Sequence, residues 1–139
     1  MYTKSMLGLD QCQDAIQAMV AEFNRDPSRR PVDMAIVDDI GNLLAYARMD
    51  RCRRPTFAIS KAYTAATRWM DTGAFAEQLK KTGRSLAVFN DSQLTTIPGG
   101  VVVTNPGDGS VLGGIGVGGL PTGEEDEVIS RAGLKALNL

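Results

Sequence analysis

Apolar residues at Cys12, Ala15, Ile16, Met19, Val20 and Phe23 recur at the three-and-four spacing of one helical stripe, and Pro27 with Ser28 ends the pattern. This predicts a helix over about residues 10–25. Residues 32–38 form a short apolar run, the Asp38-Asp39-Ile40-Gly41-Asn42 stretch has turn chemistry, and residues 43–49 are a second β-prone run. Together they predict a β-hairpin. Pro55 suits the first turn of a second helix, with Ile59, Ala62, Tyr63, Ala66 and Met70 on its apolar side. Ser60, Lys61, Thr64, Thr67 and Arg68 fall on the other side. A shorter helix is expected over about residues 72–81, closed by Gly83, whereas residues 84–95 have no firm period. Residues 100–104 and 111–117 read as two more strands joined by a Pro- and Gly-marked turn, a second hairpin. Thr122 with Glu125 three residues on is a capping-box pattern, and Val128, Ile129, Ala132 and Ala136 give the closing helix its apolar face.

The order is helix, hairpin, helices, hairpin, helix. Hairpin-connected strands imply an antiparallel sheet covered by amphipathic helices, an α+β arrangement. At 139 residues the chain is expected to form one domain spanning 1–139. With 15 basic against 16 acidic residues, nothing suggests non-specific attraction to nucleic acid or to an anionic membrane. The apolar runs fall far short of the ~20 residues that span a bilayer, and the N-terminus lacks a signal peptide's apolar stretch, so a cytoplasmic location is expected. Cys12 and Cys52 show no framework spacing, in keeping with a reducing compartment. The chain contains no histidine, so a Ser-His or Cys-His nucleophile pair and a His-ligated zinc or haem cannot come from within it.

Gly114-Ile115-Gly116-Val117-Gly118-Gly119 has the letters of a dinucleotide fingerprint, but it lies inside a predicted strand. The helix that follows opens with four acids, Glu124 to Glu127, which would repel a pyrophosphate. These glycines are better read as letting a ligand or another backbone approach the sheet, with a side chain at Gly116 expected to fill the ligand's space. The four acids themselves are what a helix dipole favours in a first turn, and no metal site is expected there. Arg48, Arg51, Arg53 and Arg54, with Lys61 and Arg68, concentrate positive charge around one strand end and the next helix. Guanidinium groups bind carboxylates bidentately, so this cluster is a candidate anion site, with a solvated basic face as the alternative.

The segments "VDDIGNLLAYARMD", "SKAYTAATRWMDTGAF", "IPGGVVV", "GSVLGGIGVGG" and "EEDEVISRAGLKAL" resemble, in order, the blocks of the GlcG/HbpS family, whose domain also forms the C-terminal part of PduO-type proteins. The resemblance implies a profilin-like three-layer α/β/α fold with a five-stranded antiparallel sheet, commonly in a homo-oligomer. It also implies binding of haem or a related tetrapyrrole as a possible cofactor, while some proteins of this architecture act on aromatic acids. The chain departs from the family pattern at Arg51-Cys52, where relatives often carry a small pair, and at Gly116-Val117-Gly118-Gly119, where a serine is common.

Two functions follow as expectations. The first is a small-molecule binding protein holding a planar anionic ligand: Arg48, Arg53 or Arg54 bind carboxylates, while Tyr63, Phe75, Thr64 and the Gly99, Gly100 and Gly116 backbone form the wall. The second is a cofactor-free lyase or isomerase acting on a small aromatic acid such as a hydroxylaminobenzoate. There Lys61, Tyr63 or Asp50 would handle protons if burial brings its pKa toward neutrality.

Overall fold

The computed structural model describes residues 1–53 and 56–139. The expectations placed on Arg54 and Pro55 therefore lie outside the described residues. In chain order the elements are α1 (Leu9–Phe23), β1 (Asp33–Asp38), β2 (Leu43–Arg48), α2 (Ala58–Arg68), α3 (Thr72–Thr82), a short 3₁₀ turn (Leu86–Phe89), β3 (Gly100–Thr104), β4 (Val111–Gly118) and α4 (Gly123–Ala136). Both predicted hairpins form, β1 with β2 and β3 with β4. They join through an antiparallel β1–β4 pair, giving the order β2-β1-β4-β3. Among the described residues the sheet has four strands, those read from the hydrophobic pattern, and not the five that the resemblance implied; the 84–95 stretch forms a 3₁₀ turn. No helix among the described residues is long and apolar enough to cross a membrane.

Strand alternation gives the sheet two unlike faces. Met34, Ile36, Val101, Val103, Ile115 and Val117 point to one side, where they pack with Cys12, Ala15 and Met19 of α1 and Ile129 of α4. The other side carries Ala35 and Val37 against Ala58, Ala62 and Ala66 of α2. Between them run glycines: a Cβ at Gly114 would lie 2.2 Å from the Ala62 carbonyl oxygen, and one at Gly116 2.1 Å from that of Ala58. Helix α2 thus lies directly on the sheet, its backbone occupying the space that side chains of β4 would take.

This packing keeps the expected Ala62 and Ala66 inside but changes the rest of the buried face of α2. Lys61 and Thr64 are buried while Ile59 is 40% exposed, because only small residues fit against the glycine face and the Lys61 ammonium finds partners beneath the helix. In α4 the predicted cap forms, Thr122 Oγ1 accepting from the Glu125 N–H at 3.2 Å. Its buried stripe, however, is Asp126, Ile129, Ser130 and Gly133, leaving Val128 at the surface.

Candidate functional site

A cleft of about 670 Å3 opens between the start of α2, the β4–α4 connection and Ile97. Its walls include Phe57, Ile97, Leu120 and Pro121, its rim carries Arg30, and Lys61 and Asp126 line it from below. A smaller cavity of about 270 Å3 shares Arg30, Thr56 and Gly119 with the cleft and adds Arg51, Cys52 and Arg53. None of Arg30, Arg51 and Arg53 is ion-paired among the described residues.

Lys61 is 1% and Asp126 3% exposed, and their Nζ and Oδ2 atoms are 2.8 Å apart. Lys61 Nζ also donates to the Val117 carbonyl at 2.8 Å, while Asp126 Oδ1 accepts from the Leu120 N–H at 3.1 Å. Burial pushes the Asp126 carboxyl above its ordinary value, and the Lys61 charge and both hydrogen bonds pull the other way. The position follows from helix spacing: Ala58, Lys61, Ala62 and Ala65 share the face of α2 laid on the sheet, and Asp126 lies one turn before Ile129 and Ser130 on the inner face of α4. A second buried carboxylate, Asp33 at the start of β1, accepts from the Tyr46 hydroxyl at 2.7 Å, from the Thr56 N–H at 3.2 Å and from the Thr56 hydroxyl. It fixes Thr56, one of the three residues shared by the two cavities. Burial, then the bond to Asp33, raise the Tyr46 hydroxyl to about 12.

The residues named from sequence are only partly gathered here. Lys61 lies in the cleft and Arg53 in the adjoining cavity. Gly99 borders the buried pair from behind, where a Cβ would come 2.8 Å from Lys61 Nζ. Arg48 and Asp50 are exposed on the β2 end and the loop beyond, in the lining of neither cavity. Gly100 and Gly116 do permit a close approach, but α2 makes it: added Cβ atoms would meet the carbonyl oxygens of Lys61 and Ala58. The glycine wall for a ligand is therefore corrected to a helix seat. Thr64 is buried and accepts from the Thr95 N–H at 3.0 Å, a loop anchor. Phe75 packs with Leu79, Leu94 and, edge to face at 5.4 Å, Phe89. Tyr63 donates to Asp91 at 2.6 Å, which raises its pKa; neither aromatic lines the cleft. Missed from sequence were Arg30, Asp33, Thr56 and Asp126. Asp126 shares three-and-four spacing with Ile129, Ser130 and Gly133, of which only Ile129 reads as a core residue in the sequence.

Comparison with known proteins agrees with this architecture. GlcG of Escherichia coli K12 is 35% identical over 109 residues, covering 76% of this chain and 78% of its own. A double mutant of HbpS from Streptomyces reticuli superposes with a TM-score of 0.85 at 30% identity, over 99% of this chain and 90% of that one. The complex of PduOC with haem shares the fold, with a TM-score of 0.79 at 23% identity over 96% of each chain. The model of the haem degrading protein HbpS-like family matches residues 7–135, and with that match the chain belongs to the HbpS-like family.

Proposed function

We propose that this protein binds a small, flat, carboxylate-bearing molecule in the cleft above Lys61 and Asp126. The observation that carries the reading is the set of three arginines, Arg30, Arg51 and Arg53, none ion-paired among the described residues, at the rim of joined cavities with apolar walls. A pocket of several hundred Å3 with apolar walls and few cationic groups suits a flat organic acid, the guanidinium forks taking the carboxylate. A tetrapyrrole is one such acid, and the PduOC relative is solved with haem. The cleft fits the acid groups of haem but not its iron. Among the described residues its lining includes no His, Cys, Met or Tyr, and Cys52 belongs to the neighbouring cavity. Calorimetric titration with benzoate and with benzamide tests the reading. Benzoate should bind the parent, and Arg30→Met should weaken it by about 1.5–3 kcal/mol, roughly 10- to 100-fold, leaving benzamide unchanged. Equal affinity of parent and variant for both compounds would remove the anion site.

The buried ion pair in the cleft favours one second reading, a cofactor-free lyase or isomerase on an aromatic acid. Lys61 and Asp126 would then manage protons in place of Tyr63 and Asp50, which lie outside the cleft. Turnover of 4-hydroxylaminobenzoate without added metal, followed by its ultraviolet absorbance, decides it: an unchanged spectrum over hours excludes that substrate.

A further inference from the structure

We infer that Lys61 is a second anchoring cation, so that the preferred ligand is an acid with two oxygen functions. A carboxylate sits at the arginine rim, and a second carboxylate or carbonyl oxygen sits on Lys61. The inference rests on the carboxylate reading above and goes beyond it by naming the ligand class.

The argument begins with donor count. A lysine ammonium carries three N–H donors. Two are committed inside the protein, one to Asp126 Oδ2 and one to the Val117 carbonyl, each at 2.8 Å. The third has no protein acceptor among the described residues, and Lys61 lines the cleft. Asp126 is turned toward the protein, one oxygen taking Lys61 and the other the Leu120 N–H. The pair therefore presents a donor to the cleft. At 1% exposure the ammonium is poorly solvated, so an oxygen that reaches it meets an interaction far less screened than one at the surface.

The same bonds argue against a covalent role. An amine attacks a carbonyl through its lone pair, and Lys61 Nζ is instead engaged at 2.8 Å with both the Asp126 carboxylate and the Val117 carbonyl. Recognition rather than imine formation is what this geometry supports. Arg30 comes from the loop after α1 and Lys61 from α2, and the apolar Phe57, Ile97, Leu120 and Pro121 line the same cleft. A guanidinium at the rim and an uncommitted N–H of the paired Lys61 in the cleft, with an apolar wall, match a ring bearing two oxygen substituents. A simple monocarboxylate can satisfy only one point.

Calorimetry with benzoate, phthalate, isophthalate and terephthalate separates this from a brace that merely ties α2 to α4. The three diacids sample three separations of their carboxylates. At least one should bind the parent tenfold or more tighter than benzoate. In Lys61→Met/Asp126→Asn that advantage should vanish, the ratio of diacid to benzoate affinity falling to near one whatever the affinity for benzoate itself. If circular dichroism shows the double variant unfolded, Lys61→Gln removes the charge while retaining an amide donor, and the same comparison applies. If benzoate binds in an Arg30-dependent way and no diacid gains, the Lys61 assignment is overturned and the carboxylate reading stands. If neither benzoate nor any diacid binds the parent, both fall.

Discussion

Placing a methyl group on Gly116 tests the packing of α2 directly. An alanine Cβ there would lie 2.1 Å from the Ala58 carbonyl oxygen, 2.6 Å from the Ala62 nitrogen and 3.0 Å from Lys61 Cβ. Two of these neighbours are backbone atoms and cannot rotate away. The helix must retreat by about 1 Å to restore ordinary contact, a gap that forfeits up to roughly half of each dispersion contact across the Ala58, Ala62 and Ala66 seam. Overpacking costs typically run about 1–3 kcal/mol, and with no side-chain rotation to absorb it Gly116→Ala belongs at ~3 kcal/mol or above. For a domain of this size that is a fall of roughly 10 °C in Tm. Gly73→Ala is the control: its Cβ would meet only Pro98 Cβ at 3.8 Å, an ordinary contact, and the gain in helix propensity should leave the protein as stable or up to ~1 kcal/mol more so. Thermal unfolding followed by circular dichroism reads both. A Gly116→Ala protein melting within about 3 °C of the parent would refute the seat, because the helix would then have room to spare.

Two other outcomes follow from the buried polar groups. Lys61→Met alone should destabilise by about 3–5 kcal/mol by stranding the Asp126 carboxylate, while adding Asp126→Asn should restore most of the loss; equal urea midpoints for the two variants would contradict the pairing. The bond from Tyr46 to Asp33 stabilises the fold fully below pH ~10, the ordinary phenol value, and that contribution is lost as pH rises through about 12. Titration at 295 nm should show a phenol ionising near that upper value in the parent and missing in Tyr46→Phe; an unchanged curve would place the late step elsewhere.

Element positions were legible because their signals are local. Gly83 as a left-handed stop after α3 and Thr122 as the cap of α4 each act through one or two neighbours, and both occur where expected. Packing depended on partners far away in the chain. Ile59 reads as core by its size, yet α2 rests on glycines, so its alanines go inside and Ile59 outside. Lys61 was recognisable as a chemical group, but only the fold shows Asp126 beneath it, since four adjacent acids look alike until the burial of Ile129 and Ser130 sets which one turns inward. The arginine cluster was visible as charge along the chain. Arg30 joins Arg53 only because the loop after α1 comes back beside the β2–α2 connection, which no local pattern records.

The central β1–β4 pairing has a kinetic consequence. It brings residues 33–38 beside residues 113–118, so the first hairpin waits for nearly the whole chain before its inner edge is covered. Contacts this distant along the chain form slowly, because the intervening loop must be closed before any pairing offsets it. While the polypeptide is being made, the backbone groups on that side of β1, with Met34 and Ile36 beside them, have no native partner until the ribosome has passed the last strand. A chain released before Gly118 would thus expose a bare apolar strand, and self-association of such fragments would compete with the fold.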